Sequence, residues 1–263
     1  MLKNNIEEIE KELKTTKLIA LVAPSFASEF KYPSIINQLK SLGFDKVVEL
    51  TFGAKLVNKE YHKILKKTNQ LWISSVCPGI TESINNQHPE LKKNLLRVDS
   101  PMIVIAKVCK KYLPNHKTIF ISPCHFKKQE AENLKYIDYV IDYQQLNELF
   151  KKYNIKESDK KQTFDLFYND YTKIYPLSGG LSKTAHLNGI LKPNEYIVLD
   201  SILELNEFIK NPHPDIKFVD VTFCKGGCIG GPCLSKTLTL EERKKRLLQY
   251  LSIAKEEKIT KKG

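Results

Sequence analysis

Six cysteines, Cys77, Cys109, Cys124, Cys224, Cys228 and Cys233, are the residues of this 263-residue chain with the most chemistry to offer. The N-terminus lacks the apolar stretch and small-residue cleavage site of a signal peptide, which predicts a cytoplasmic, reducing location. Thiols stay free there, so the question becomes whether they hold a metal. Cys224 and Cys228 bracket Lys225-Gly226-Gly227 and are followed by Ile229-Gly230-Gly231-Pro232. Glycines in that number let backbone wrap closely around a bulky inorganic group and aim N–H donors at its sulfurs. Alone, two thiols at this spacing are a modest signal, since they also arise by chance or within a helix turn. Cys77 and Cys124, each beside a proline and each after an apolar run, raise the set to four thiolates, the complement of a cubane iron–sulfur cluster. Their wide separation differs from the bunched ligands of a ferredoxin and from the paired knuckles of a zinc finger. Free cysteine is otherwise a small buried apolar residue. Cys109, inside a helical run, is assigned to that class, and Cys233, just past the glycine turn, stands between the two.

The elements that must position these thiols are legible as alternating patterns. Residues 17–23 form an unbroken apolar run stopped by Pro24, the mark of a strand buried on both faces. Similar runs recur at 47–50, 71–75, 118–122, 139–141, 196–199 and 218–223. Stretches of helical period lie around and between them, at 4–14, 35–42, 56–65, 102–112, 146–150, 202–209 and 240–254. Strand alternating with helix predicts an α/β protein with short, mostly parallel sheets flanked by helices, whose ligands sit beyond the carboxyl ends of the strands. Three of those ends lead into Cys77, Cys124 and Cys224 to Cys228. The charged stretch 151–162 reads as a lobe-connecting insertion or a surface helix.

Lysine and arginine (42) outnumber aspartate and glutamate (30), for a net charge of +12. The basic residues are scattered, with denser runs at 151–161 and 255–262, and no basic stripe carries the aromatic interleaving of a single-strand binder. Nucleic acid is therefore not expected as a partner; a solvated lysine-rich surface is, with docking of an acidic protein as the functional reading. No apolar run approaches the length of about 20 residues that spans a bilayer, so no membrane association is expected.

Beyond spacing, the chain resembles the catalytic domain of FeFe (iron-only) hydrogenases. Val22-Ala23-Pro24-Ser25-Phe26, Ser74 to Gly79, Ser100-Pro101-Met102, Ser122 to Glu130, Ser178-Gly179-Gly180 and Cys224 to Pro232 occur in the family's order. The match covers nearly the whole chain and looks most like branches that include hydrogen-sensing members. It implies a single catalytic domain over residues 1–263, built as two lobes with a cluster in the crevice between them. The implied cofactor is the H-cluster, a 4Fe-4S cubane joined to a diiron subcluster with carbonyl, cyanide and bridging dithiolate ligands. Cys77, Cys124, Cys224 and Cys228 would bind the cubane, Cys228 also bridging to the diiron unit. Lys127 would donate to one cyanide, and Ala23, Pro24 and Ser25 would line the other. Gly226 and Gly227 would let the loop approach the cluster, and Glu130 would pair locally with a lysine or a backbone donor. The implied reaction is reversible oxidation of dihydrogen, with H-cluster maturation proteins and an external ferredoxin-like carrier as partners.

Several positions depart from the family's pattern. Val76 stands where productive members have a proton-passing cysteine, and two relay carboxylates would fall near Tyr61 and Ile64. Ser122 and Thr222 replace methionines near the diiron site. Ser100, Glu60 and His125 are the candidates left for moving protons. The losses imply slow turnover with cluster binding intact, because acid–base relays contribute typically about 10²- to 10⁴-fold. The chain starts at the catalytic region with no bunched ferredoxin segment, so electrons are expected from outside. A hydrogen or redox sensor, and an iron–sulfur assembly or carrier protein lacking the diiron unit, stay open as alternatives.

Overall fold

The computed structural model describes residues 6–132, 134–167 and 171–256, the side chains of 254–256 excepted. The start of the first predicted helix at residues 4–5 and the basic tail beyond 256 lie outside them. Among the described residues, seven strands form two sheets, both wholly parallel. The first joins β1 (Leu18–Val22), β2 (Lys46–Glu49), β4 (Lys117–Ser122) and β5 (Tyr139–Asp142) in the order β2-β1-β4-β5. The second joins β3 (Trp72–Ile73), β6 (Tyr196–Leu199) and β7 (Phe218–Val221) in the order β3-β7-β6. Ten helices accompany them: α1 (Ile6–Thr15), α2 (Ser34–Leu42), α3 (Thr51–Leu65), α4 (Pro78–Gln87), α5 (Pro101–Tyr112), α6 (Phe126–Ala131), α7 (Tyr143–Lys152), α8 (Gly180–Thr184), α9 (Ile202–Lys210) and α10 (Leu240–Glu256). None of the described helices is long and apolar enough to cross a membrane.

β1 is unbroken apolar sequence because helices cover both faces of its sheet. Leu18, Ala20 and Val22 point into a core with Ile35, Leu39 and Leu146, while Ile19 and Leu21 meet Met102, Ile105 and Ala106 of α5 on the other side. In the second sheet Phe218 packs with Tyr61 and Leu181, and Val219 and Val221 with Ile80, Ile84 and Leu205. Parallel register places the strand ends together: Val22 pairs with both Glu49 and Ile121. The segments that leave β1, β2 and β4 therefore emerge at one edge. Pro24 ends β1 and opens a 3₁₀ turn, Pro24–Ser28, that stays wholly buried.

Two predicted spans differ from what the chain does. The run 71–75 yields only the two-residue β3, because Ser75 turns aside and its N–H donates to the Tyr61 hydroxyl at 2.9 Å. The stretch 151–162 is not a surface helix, though it lies in the passage of the chain from β5 of the first sheet to β6 of the second. α7 ends at Lys152, and the segment then runs irregularly against the start of α2. Ser158 N–H bonds Ser34 Oγ at 3.0 Å, and Asn37 Nδ2 donates to the carbonyls of Ser158 and Lys160.

Candidate metal centre

Each of the four cysteines is set by a different local device. Cys77 is the N-cap of α4, with Pro78 at the first helical position, where a missing N–H costs nothing. Cys124 follows β4 through a tight turn. Ser122 Oγ accepts the Cys124 N–H at 3.1 Å and donates to the Cys124 carbonyl at 2.9 Å. Thr222 repeats the device after β7, donating to the Cys224 carbonyl at 3.2 Å. The hydroxyls of Ser122 and Thr222 thus brace the turns carrying two of the thiols.

Cys228 sits in the 3₁₀ turn Gly227–Gly230, its N–H donating to the Pro176 carbonyl at 2.7 Å. Gly226 and Gly227 hold φ of +81° and +73°, conformations that favour glycine. A Cβ on Gly227 would overlap the Pro176 carbonyl, and one on Gly231 would lie 2.6 Å from the Pro123 carbonyl. The loop is therefore pressed against the turn that carries Cys124, to which Cys233 N–H also bonds through Pro123 at 3.2 Å.

The thiols of Cys77, Cys124, Cys224 and Cys228 lie within electrostatic reach of one another. Burial is the main cause pushing three of them up: Cys124 rises, Cys224 reaches about 12, and Cys228 goes further, with neighbouring thiols adding to each. Cys228 is itself exposed, so its upward shift comes from the protein packed about its loop together with the neighbouring thiols rather than from full enclosure. Lys127 opposes the shift at both Cys124 and Cys228.

Beside the thiols lies a cavity of about 110 Å³. Its wall comes from the carboxyl ends of both sheets: Ala23 to Ser25 after β1, Leu50 after β2, Val76 and Cys77 after β3, Pro123 and Cys124 after β4, and Asp220 and Thr222 at β7. Met102, Phe120, Leu177 and Leu181 make most of the remainder apolar. Lys127 reaches the cavity from α6, its ammonium 2.6 Å from Glu130 and 3.4 Å from the Val76 carbonyl. Ser25 Oγ shares a 2.7 Å hydrogen bond with the Tyr143 hydroxyl, and both are buried.

Ala23, Pro24, Ser25, Lys127, Cys77, Cys124 and Cys228 thus meet at one cavity, with Gly226 and Gly227 shaping the loop behind Cys228. The candidate proton carriers do not line it. Ser100 is the N-cap of α5, its buried hydroxyl without a partner among the described residues, in an adjoining surface groove. Glu60 is exposed and faces Lys63 at 4.0 Å. The largely exposed ring of His125 points to Cys233, Nδ1 lying 3.3 Å from Sγ, and to Asp142 at 3.9 Å. Cys109 is fully buried in α5. Sequence reasoning missed Tyr175 and Asp220. Asp220 had a signal, a carboxylate inside the apolar run of β7; Tyr175, in an irregular segment, had none.

Comparison with known proteins agrees with this geometry. Residues 16–200 match the family described as iron only hydrogenase large subunit, C-terminal domain. Iron hydrogenase 1 of Clostridium pasteurianum is 26% identical over 254 residues, covering 75% of this chain and 44% of that protein. The chain therefore spans less than half the length of that relative. Among solved structures, an [FeFe]-hydrogenase from a study of oxygen inactivation of the H cluster superposes with a TM-score of 0.73 at 16% identity, over 93% of this chain and 88% of that one. An apo cysteine-to-histidine variant of HydA1 from Chlamydomonas reinhardtii gives 0.73 at 17% identity over the same shares. Shared fold over most of the chain and a direct family match over residues 16–200 lead to one conclusion: the protein belongs to the iron-only hydrogenase large-subunit family and corresponds to its C-terminal domain.

Proposed function

We propose that this chain is a hydrogenase domain that binds an H-cluster and interconverts dihydrogen with protons and electrons, exchanging the electrons with an external ferredoxin-like carrier. The observation that carries the reading is the gathering of thiols from three distant parts of the sequence: Cys77, Cys124 and Cys228 line one mainly apolar cavity together with the half-buried Lys127, and Cys224 lies within electrostatic reach of all three. The donor set suits the group: four thiols for a cubane, a glycine cradle that side chains would fill, and a cation facing an enclosed space. When bound, the cluster supplies the open iron site at which dihydrogen is split.

The residues supply the rest. Thiols held protonated by burial must release their protons on loading, so cluster uptake is coupled to pH and strengthens as pH rises. Lys127 keeps one N–H in Glu130 and one near the Val76 carbonyl, which leaves the third ammonium proton to donate to an anionic ligand. Glu130 fixes that ammonium in place. The apolar wall excludes water and so strengthens the donor's field. Val76 adds nothing to proton movement.

Infrared spectroscopy of the protein after anaerobic maturation tests the reading. Carbonyl and cyanide stretches, with hydrogen evolution from a reduced viologen, are the expected result. A protein that takes up iron under competent maturation yet shows neither band is an iron–sulfur carrier.

A further inference from the structure

Val76 leaves the cavity without the proton carrier expected beside the first ligand cysteine, and Ser100, Glu60 and His125 lie elsewhere. Among the described residues, the ionisable groups that line the cavity are three cysteines, Lys127, Tyr175 and Asp220. The cysteines are assigned to the cluster and Lys127 is paired with Glu130. Tyr175 and Asp220 remain. Asp220 is 3% exposed and is held by Ser182 of α8, whose N–H donates to Oδ2 at 2.8 Å. The Tyr175 hydroxyl is buried and has no hydrogen-bond partner among the described residues.

Next to this pair the chain offers a way out. Tyr61 lies within electrostatic reach of both Asp220 and Tyr175. Its hydroxyl is 3.2 Å from Ser75 Oγ, which in turn donates to the carbonyls of Leu96 and Val98. Ser75 also lines the solvent-open groove that holds Ser100, Glu82 and Glu130. We propose that Asp220 is the proton acceptor of this cavity, and that the Tyr61–Ser75 hydroxyl pair carries the proton on to the groove.

The proposal rests on the hydrogenase reading. Splitting one dihydrogen releases two protons and two electrons. Each proton in turn forms an O–H bond on the Asp220 carboxylate, and the electrons leave one at a time to an external iron–sulfur protein. No hydrogen bond joins Asp220 directly to Tyr61, so the carboxylic acid is reset through one intervening water. It gives its proton to the water, the water gives one to the Tyr61 oxygen, Tyr61 its own to Ser75, and Ser75, turned from the Leu96 and Val98 carbonyls, its own to the solvent of the groove. Reduction of protons runs the same steps backwards. Burial raises the Asp220 carboxyl above its ordinary range, with Ser182 opposing, which moves it toward the neutral values at which an acceptor works best. Tyr61 and Tyr175 face it as protonated phenols, held so by burial, while Lys127 and the cysteine thiols share its cavity.

Two measurements on wild type, Asp220→Asn and Asp220→Glu test this. In the metal-free protein, infrared titration in H₂O and D₂O should show a buried carboxylic-acid band that disappears in Asp220→Asn and returns shifted in Asp220→Glu. Asparagine keeps the Ser182 contact, so folding is retained. In matured protein, Asp220→Asn should keep the carbonyl and cyanide bands while hydrogen turnover falls about 10²-fold and the pH profile loses its acidic limb. Asp220→Glu should restore both. Wild-type turnover and pH profile in Asp220→Asn with intact bands, or no carboxylic-acid band at any pH, would overturn the relay alone. Absence of carbonyl and cyanide bands from wild type would overturn the hydrogenase reading and the relay with it.

Discussion

Gly227 shows how a single residue controls the centre. Its φ of +73° would cost a residue with a side chain about 1–3 kcal/mol, and a Cβ there would also overlap the Pro176 carbonyl. That carbonyl accepts the Cys228 N–H, so the strain would be relieved by displacing the Cys228 thiol from the cavity wall. Gly227→Ala is therefore expected to lower iron retained per chain after anaerobic reconstitution, and to lower thermal stability by a few degrees. Gly189 is the internal control, because an added Cβ there meets nothing within 4 Å. Gly189→Ala should bind iron as wild type does. Equal iron in both variants would show that the loop tolerates rearrangement and that its glycines do not set the thiol.

At the scale of elements, the cavity depends on how α10 is held. Tyr250 of α10 packs edge-on against Phe26, within the turn that follows β1, at 4.9 Å between ring centroids. Arg243 donates to the Ile229 carbonyl at 3.1 Å and to Ser235, so the same helix clamps the Cys228 loop. Its anchor is a buried ion pair: Lys173, 1% exposed, lies 3.2 Å from Glu49 at the end of β2, and the Tyr250 hydroxyl donates to Glu49 at 3.0 Å. Removing one partner strands a buried charge, which costs about 3–5 kcal/mol, whereas replacing both with apolar groups can be near neutral. Lys173→Met should thus lower the denaturation midpoint sharply, and Glu49→Leu in the same chain should recover most of the loss; an additive double variant would mean that the two charges do not depend on each other. None of this anchor was visible in sequence. Apolar runs located all seven strands, since a strand covered on both faces leaves an unbroken local record, and the cysteines marked the strand ends. Glu49, Lys173 and Tyr250 are far apart along the chain and look like surface residues until the fold closes over them. Asp220 is intermediate: its place in an apolar strand was readable, but the cavity it faces is made by both sheets and by Tyr175.

On the scale of the whole molecule, the net charge of +12 has no counterpart in the site, whose wall is mainly apolar. Its effect must be felt at a distance, on whatever approaches the Cys224–Cys228 loop from solvent. Lys225, between Cys224 and Cys228, and Lys236, just beyond Cys233, are both exposed beside that loop. An acidic one-electron carrier would be drawn there, and steering of this kind raises encounter rates by roughly 10- to 10³-fold at low ionic strength. The Debye length falls from about 30 Å at 0.01 M salt to about 8 Å at 0.15 M, so the attraction should fade across that range. Electron transfer from a reduced acidic ferredoxin is accordingly expected to slow steeply with added salt. Turnover driven by a small viologen, which gains little from a cationic surface, should not. Lys225→Glu should raise the KM for the ferredoxin several-fold and leave kcat with the viologen unchanged. If ferredoxin-driven turnover were flat across the salt range, the basic surface would have no part in electron delivery, and contact packing at the loop alone would have to select the carrier.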